Sequence, residues 1–212
     1  MIKIKYFTFN AFQVNMYIIS DDTLECVIVD AACYTEHEKQ TVDQYISHQK
    51  LKPVKLINTH CHVDHVLGVK YIAEKYKTKF EVHEEDIQLL TNAKKYGIVF
   101  GFDVEEPPVV TGYLKEGSDI IFGNSVLKTF HVPGHSPGSM AFYNPEQKFV
   151  ITGDVLFKGS IGRTDLPGGD YDQLMSSIYK KLMVLPSETE VFPGHGPSTT
   201  IHEEALNNPF LT

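Results

Sequence analysis

Thr59-His60-Cys61-His62-Val63-Asp64-His65 follows directly on the apolar run Val54–Asn58 and gathers three imidazoles and a carboxylate into seven residues. Core packing gives no reason for that combination, because polar groups are costly to bury unless something pairs with them. Three further runs end in the same manner. Val126–Phe130 passes into His131-Val132-Pro133-Gly134-His135-Ser136-Pro137-Gly138, Phe149–Thr152 into Gly153-Asp154, and Glu190–Phe192 into Pro193-Gly194-His195-Gly196-Pro197. Each run reads as a strand, and each exit combines Gly or Pro with a His or an Asp. If these strands share sheet edges, their loops converge and six or seven N and O ligands meet at one point.

Imidazole and carboxylate suit Zn, Fe, Ni or Mn. Period-two geometry at a strand end turns His60 and His62 the same way, so that they chelate one ion with His135. Asp64 and His65 lie beyond the turn and would hold a second ion with His195, while Asp154 has two oxygens to bridge both. Two ions roughly 3.5–4 Å apart share a water and lower its pKa toward neutrality, giving a hydroxide nucleophile and a Lewis acid together. His37, His48, His83 and His202 lack such company and read as ordinary core or surface residues.

Around these loops, Ile2–Phe9, Val14–Ile19 and Leu24–Val29 are strand-like runs. Thr35 and Glu38 have capping-box spacing and Val42, Tyr45 and Ile46 recur at helical intervals, which predicts a helix over Thr35–His48. Val69, Ile72, Ala73 and Tyr76 mark a second helix. Tyr96 to Gly112, with two glycines inside it and a Pro pair, reads as a long surface excursion between two halves of one domain spanning 1–212. The second half repeats the grammar: strands near Asp119–Phe122, Val126–His131, Ser139–Tyr143 and Phe149–Thr152, a helix capped by Asp170 carrying Leu174, Ile178 and Leu182, then Glu190–Phe192. Strands outnumber helices, and amphipathic helices can cover only one face of each sheet. The simplest packing is a four-layer αββα sandwich of mixed α and β structure.

Composition bounds the function. The 212 residues are 42% hydrophobic and 22% charged, which excludes a disordered chain. Nineteen basic against 27 acidic residues leave a net charge of −8, which argues against nucleic acid as a partner. No apolar run approaches the roughly 20 residues of a membrane span, and Met1-Ile-Lys-Ile-Lys does not open a signal peptide. Three cysteines (Cys26, Cys33, Cys61) fit a reducing, cytoplasmic location. A small-molecule substrate is the expected partner; oligomeric state is not readable.

The order His60-x-His62-x-Asp64-His65, His135, Asp154, His195 resembles the metallo-β-lactamase-fold superfamily, and the resemblance runs from Asp30 to Asn208-Pro209-Phe210. It implies the αββα sandwich and a dinuclear site at one sheet edge. His60, His62 and His135 match the first metal site, Asp64, His65 and His195 the second, and Asp154 the bridge; Asp64 and Asp154 are the expected catalytic carboxylates. β-Lactamases of the fold commonly lack the bridging aspartate, so Asp154 points elsewhere. His131-Val-Pro-Gly-His135-Ser-Pro-Gly and Gly153-Asp154-Val-Leu-Phe-Lys-Gly-Ser-Ile-Gly162-Arg163-Thr-Asp165 look most similar to the glyoxalase II group, in a short form without the C-terminal helical domain that binds glutathione.

The resemblance therefore implies a metal-dependent thioesterase of the hydroxyacylglutathione hydrolase type, with two divalent ions, zinc first and iron or manganese next. Arg163 stands where such relatives place a substrate-contacting cation, with an ion pair to Asp165 as the equal alternative. Asp30 is expected to accept a hydrogen bond from a ligand imidazole or a loop amide near the metals. Cys61 is expected to pack behind the site, and Lys158 to be a solvated surface residue. The alternative activity is a persulfide dioxygenase, in which His60, His135 and Asp154 hold a single non-haem iron. A metal-binding module without catalysis is the third reading.

Overall fold

The computed structural model describes residues 1–212. Val14–Ser20 is buried at all seven positions, so this strand is covered on both faces. Alternation along it divides the core. Tyr17 and Ile19 join Val27, Val29 and Ile57 on one side, against Phe122, Met140, Phe142 and Ile151 of a second sheet. Met16 and Ile18 point the other way, with Ile28 and Leu56, under the helical residues Val42, Ile46, Val69 and Ile72. On the far side of the second sheet Ala141, Val150 and Val191 meet Leu174, Ile178 and Leu182. The result is the expected αββα sandwich.

The first sheet runs in chain order: β1 (Lys3–Phe9), β2 (Val14–Ser20), β3 (Glu25–Val29), β4 (Lys52–Ile57), β5 (Lys79–His83) and β6 (Gly112–Leu114). β1 to β3 are antiparallel and β3 to β6 parallel. Its helices are α1 (Glu36–His48), α2 (Val69–Tyr76), α3 (Ile87–Thr91) and α4 (Ala93–Phe100). The Thr35–Glu38 capping box is formed in both directions. The second half supplies β7 (Asp119–Phe122), β8 (Ser125–His131), β9 (Met140–Asn144), β10 (Phe149–Gly153), a ribbon of β11 (Leu156–Phe157) and β12 (Ser160–Ile161), β13 (Glu190–Pro193) and β14 (Thr199–Thr200). Its sheet order is β14-β13-β10-β9-β8-β7. Outside it lie α5 (Tyr171–Ser177), continued by a π-helical turn over Ile178–Leu182, and α6 (Ile201–Asn207).

Strand direction is what positions the site. β3, β4 and β5 are parallel, so Asp30, His60–His65 and Asp86 leave the first sheet at one edge. β8, β10 and β13 also share a direction, so His135, Asp154 and His195 leave the second sheet at one edge. Two expectations need correction. β4 ends at Ile57, so His60 and His62 sit on a loop, not on a pleated strand end. Tyr96–Gly112 is not all excursion: α4 continues through Phe100, Gly97 allowing the backbone to pack against Val104 and Gly101 closing the helix at φ 79°. No helix is long and apolar enough to cross a membrane.

Phe142 lies fully buried between the sheets, while Val184 is 69% exposed. Phe142→Ala is expected to cost about 3–5 kcal/mol in urea unfolding and Val184→Ala less than about 0.5 kcal/mol. Equal costs would contradict the placement of the core.

Candidate metal centre

Asp30 leaves β3 in a left-handed conformation (φ 53°) and is wholly buried. The turn aims its carboxylate along the edge of the sheet. Oδ1 accepts the Thr59 amide at 2.6 Å, and Oδ2 accepts the Thr59 hydroxyl at 2.6 Å and His65 Nδ1 at 3.0 Å. Asn58 ties down the same loop, donating to the carbonyls of His60 (3.2 Å) and His65 (2.9 Å). Buried Asp86, after β5, accepts from the Cys61 amide (2.8 Å), the Gly138 amide (2.6 Å) and the Ser136 hydroxyl (2.9 Å). It joins the His60–His65 loop to the His135 loop, one from each sheet. Cys61 itself is buried in the apolar cluster behind the site.

These contacts fix the tautomers. His135 Nδ1 faces the carbonyl of Arg163 at 2.8 Å and His195 Nδ1 the carbonyl of Phe12 at 2.9 Å. A carbonyl can only accept, so each Nδ1 carries a hydrogen and each Nε2 is the nitrogen left to face a proton or a metal ion. His65 is set the same way by Asp30, and His60 by the Thr59 hydroxyl at 3.1 Å, whose own hydrogen goes to Asp30. The Nε2 atoms then face one another: His60 Nε2 to His135 Nε2 at 3.3 Å, and His65 Nε2 to His195 Nε2 at 3.3 Å. His62 presents Nδ1, 2.8 Å from His135 Nε2, and its Nε2 has no hydrogen-bond partner.

Asp154 lies between the two groups. Oδ2 is 3.6 Å from His135 Nε2 and 3.3 Å from His195 Nε2, and Oδ1 is 3.4 Å from His65 Nε2, buried and without a hydrogen bond. Asp64 Oδ2 stands 3.5 Å from His195 Nε2 and 3.8 Å from His65 Nε2. A Cβ on Gly194 would fall on Asp154 Oδ1 and lie 2.9 Å from His65 Cε1, so only glycine lets β13 approach this closely. Two compact donor groups result, His60/His62/His135 and Asp64/His65/His195, with Asp154 beside both. Facing Nε2 atoms and an orphaned carboxylate oxygen fit cations and fit little else.

The seven residues expected as ligands are thus brought together. His83 and His131 are apart from them, stacked on one another at 4.0 Å, with His131 Nε2 on the Pro137 carbonyl at 2.8 Å. Arg163 makes two 2.7 Å bonds to Asp165, so a substrate carboxylate would have to displace that partner. Asp86 and the carbonyls of Phe12 and Arg163 escaped the sequence reading. Asp86 is one acid in Glu84-Glu85-Asp86, and every residue has a carbonyl.

The profile of the metallo-beta-lactamase superfamily matches residues 9–195. The chain belongs to that superfamily. It is 39% identical over 203 residues to "Probable metallo-hydrolase YqgX" of Bacillus subtilis (94% of this chain, 92% of the relative). It is 34% identical over 208 residues to "Hydroxyacylglutathione hydrolase GloC" of Haemophilus influenzae (95% and 94%). Among solved structures, BLEG-1 B3 metallo-beta-lactamase superposes with a TM-score of 0.91 at 32% identity (99% and 100% covered). TTHA1623 in a di-iron-bound form gives 0.87 at 38% identity (98% and 100%).

Electrostatics separates the two donor groups. Burial, with neighbouring imidazoles adding to it, pushes His60 well down and His62 to about 3, so both are neutral at pH 7. Burial also opposes a charge on His65 and His195. There the carboxylates win: Asp154, Asp64 and Asp30 raise His65, and Asp154 and Asp64 raise His195 to about 9. A cation entering the Asp64/His65/His195 group therefore displaces protons, and its affinity rises with pH up to about 9. After chelation, calorimetric titration with zinc at pH 7 in buffers of different ionisation enthalpy should show net proton release. No release would contradict the assignment. Asp30→Ala, which frees the ring of His65, should weaken zinc binding by roughly 10- to 100-fold.

Proposed function

We propose that the protein hydrolyses a thioester at a two-metal centre of the glyoxalase II kind. The carrying observation is that both donor groups are complete and Asp154 stands beside both. His60, His62 and His135 would hold one divalent ion, Asp64, His65 and His195 the other, and Asp154 both; imidazole and carboxylate donors suit zinc, iron or manganese. Bound there, the ions supply Lewis acidity and bring the pKa of water toward neutrality.

The chain's own groups do the rest. Asp30 holds the ring of His65 and the Arg163 carbonyl that of His135, so little reorganises during reaction. Asp64 and Asp154 line the same cavity. Burial works against their charge, yet the facing imidazoles keep both ionised, Asp154 most strongly. They accept hydrogens of an attacking water and orient its oxygen. That oxygen adds to the thioester carbonyl carbon, the C–S bond breaks, and a water-derived proton passes to the leaving sulfur. The relative named hydroxyacylglutathione hydrolase supports the reaction class, and Asp154 weighs against β-lactam cleavage.

The test is elemental analysis of the purified protein beside an activity panel of S-lactoylglutathione, simpler thioesters, a cephalosporin and a persulfide. Two ions per chain and thioester turnover are expected. Asp154→Ala should lose both, with kcat/KM falling on the order of 10³ or more, several kcal/mol of charge stabilisation. One iron per chain with persulfide-dependent oxygen uptake would replace this reading by the dioxygenase; a preference for the cephalosporin would replace it by a β-lactamase.

A further inference from the structure

The cavity over His62, Asp64, His135, Asp154 and His195 has a volume of about 870 Å³, the size of a small-molecule site. Its walls differ from its floor. The β1–β2 turn contributes Phe12 and α4 contributes Val99 and Phe100; Phe157, Ile161 and Leu166 come from the β11–β12 ribbon and the loop after it. Val99 is 76% exposed and Phe100 52%, an apolar surface placed in water beside a reactive centre. It is not loosely held: Phe12 packs edge-on to Phe100 at 5.4 Å and against Phe102 at 5.6 Å, and Phe102 packs on Tyr34 at 5.1 Å.

Charge is scarce on these walls. Apart from the metal-centre histidines, the lining cations are Lys158 and Arg163, and Arg163 is engaged by Asp165 through two 2.7 Å bonds. A peptide thiol such as glutathione brings two carboxylates and an ammonium. Laid along these walls, they would find one cation outside an ion pair, Lys158, and elsewhere lose water without gaining partners. An apolar chain loses nothing there and removes exposed aromatic and aliphatic surface from water.

We propose that the larger substituent of the substrate is an uncharged apolar chain, laid against Phe12, Val99 and Phe100 with its scissile bond over the metal centre. This rests on the thioester reading above: the bond is that of glyoxalase II, the group carried is not.

Two measurements on the metal-loaded protein test it. One is kcat/KM for thioesters of a neutral thiol, N-acetylcysteamine, with acyl chains of two to ten carbons, for acetyl thioesters of alkanethiols of matching length, and for the same acyl groups on glutathione. The other is calorimetric affinity for thioether analogues in which a methylene replaces the carbonyl. At least one neutral series and its analogues should gain roughly three- to fourfold per added methylene over the first four, and the neutral thiol should be preferred to glutathione. Val99→Asp should flatten the gradient to less than twofold overall. Thioester turnover that ignores chain length in both neutral series, or favours glutathione tenfold, overturns this proposal and leaves the thioester reading intact. Analogue affinity that climbs with length while no thioester is cleaved overturns the thioester reading and supports apolar recognition.

Discussion

Imidazole nitrogens carrying lone pairs repel, and here they meet at 3.3 Å in a buried space. Such an arrangement lasts only with positive charge among the nitrogens, either protons or metal ions. Every polar contact around the centre enforces it. The carbonyls of Phe12 and Arg163 and the carboxylate of Asp30 each claim an Nδ1 hydrogen, which leaves Nε2 aimed inward to meet that charge. The outer partners therefore do more than steady the rings: they choose which nitrogen is offered.

The scaffold meets this demand by aligning strand ends. Parallel strands in the first sheet and like-directed strands in the second deliver their exits to one edge, and Asp86 fastens the two loop systems by accepting from Cys61, Ser136 and Gly138. Asn15 and Tyr17 fasten the last loop by donating to the Pro193 carbonyl, at 3.1 and 2.5 Å. The sandwich core holds these exits rigidly, because β2 is packed on both faces and cannot slip by one residue without reversing its buried pattern. Beside this polar floor, exposed Val99 and Phe100 give the cleft a second character, suited to the part of a substrate that does not react.

Much of this is legible in the chain. The seven expected ligands show because they lie in short turns after apolar runs, where packing offers no competing reason for them. The αββα layering shows because strands outnumber helices and the helices carry one apolar face. What stays hidden is of two kinds. Backbone acceptors have no residue signature, so Phe12 and Arg163 enter through their carbonyls unseen. Glycine can mislead: Gly97 and Gly101 make Tyr96–Gly112 look like loop, although one serves close packing and the other ends α4. His60 and His62 come together on an irregular loop shaped by Asn58 and Asp30, where the sequence predicts a pleated strand end.

The central claim is the inverted pattern of ring nitrogens, and long-range ¹H–¹⁵N correlation on protein loaded with ¹¹³Cd and labelled at histidine reads it directly. Cadmium coupling to Nε2 of His60, His65, His135 and His195, and to Nδ1 of His62 alone, is the predicted result. Coupling through Nδ1 of the first four, or no coupling at all, would contradict it.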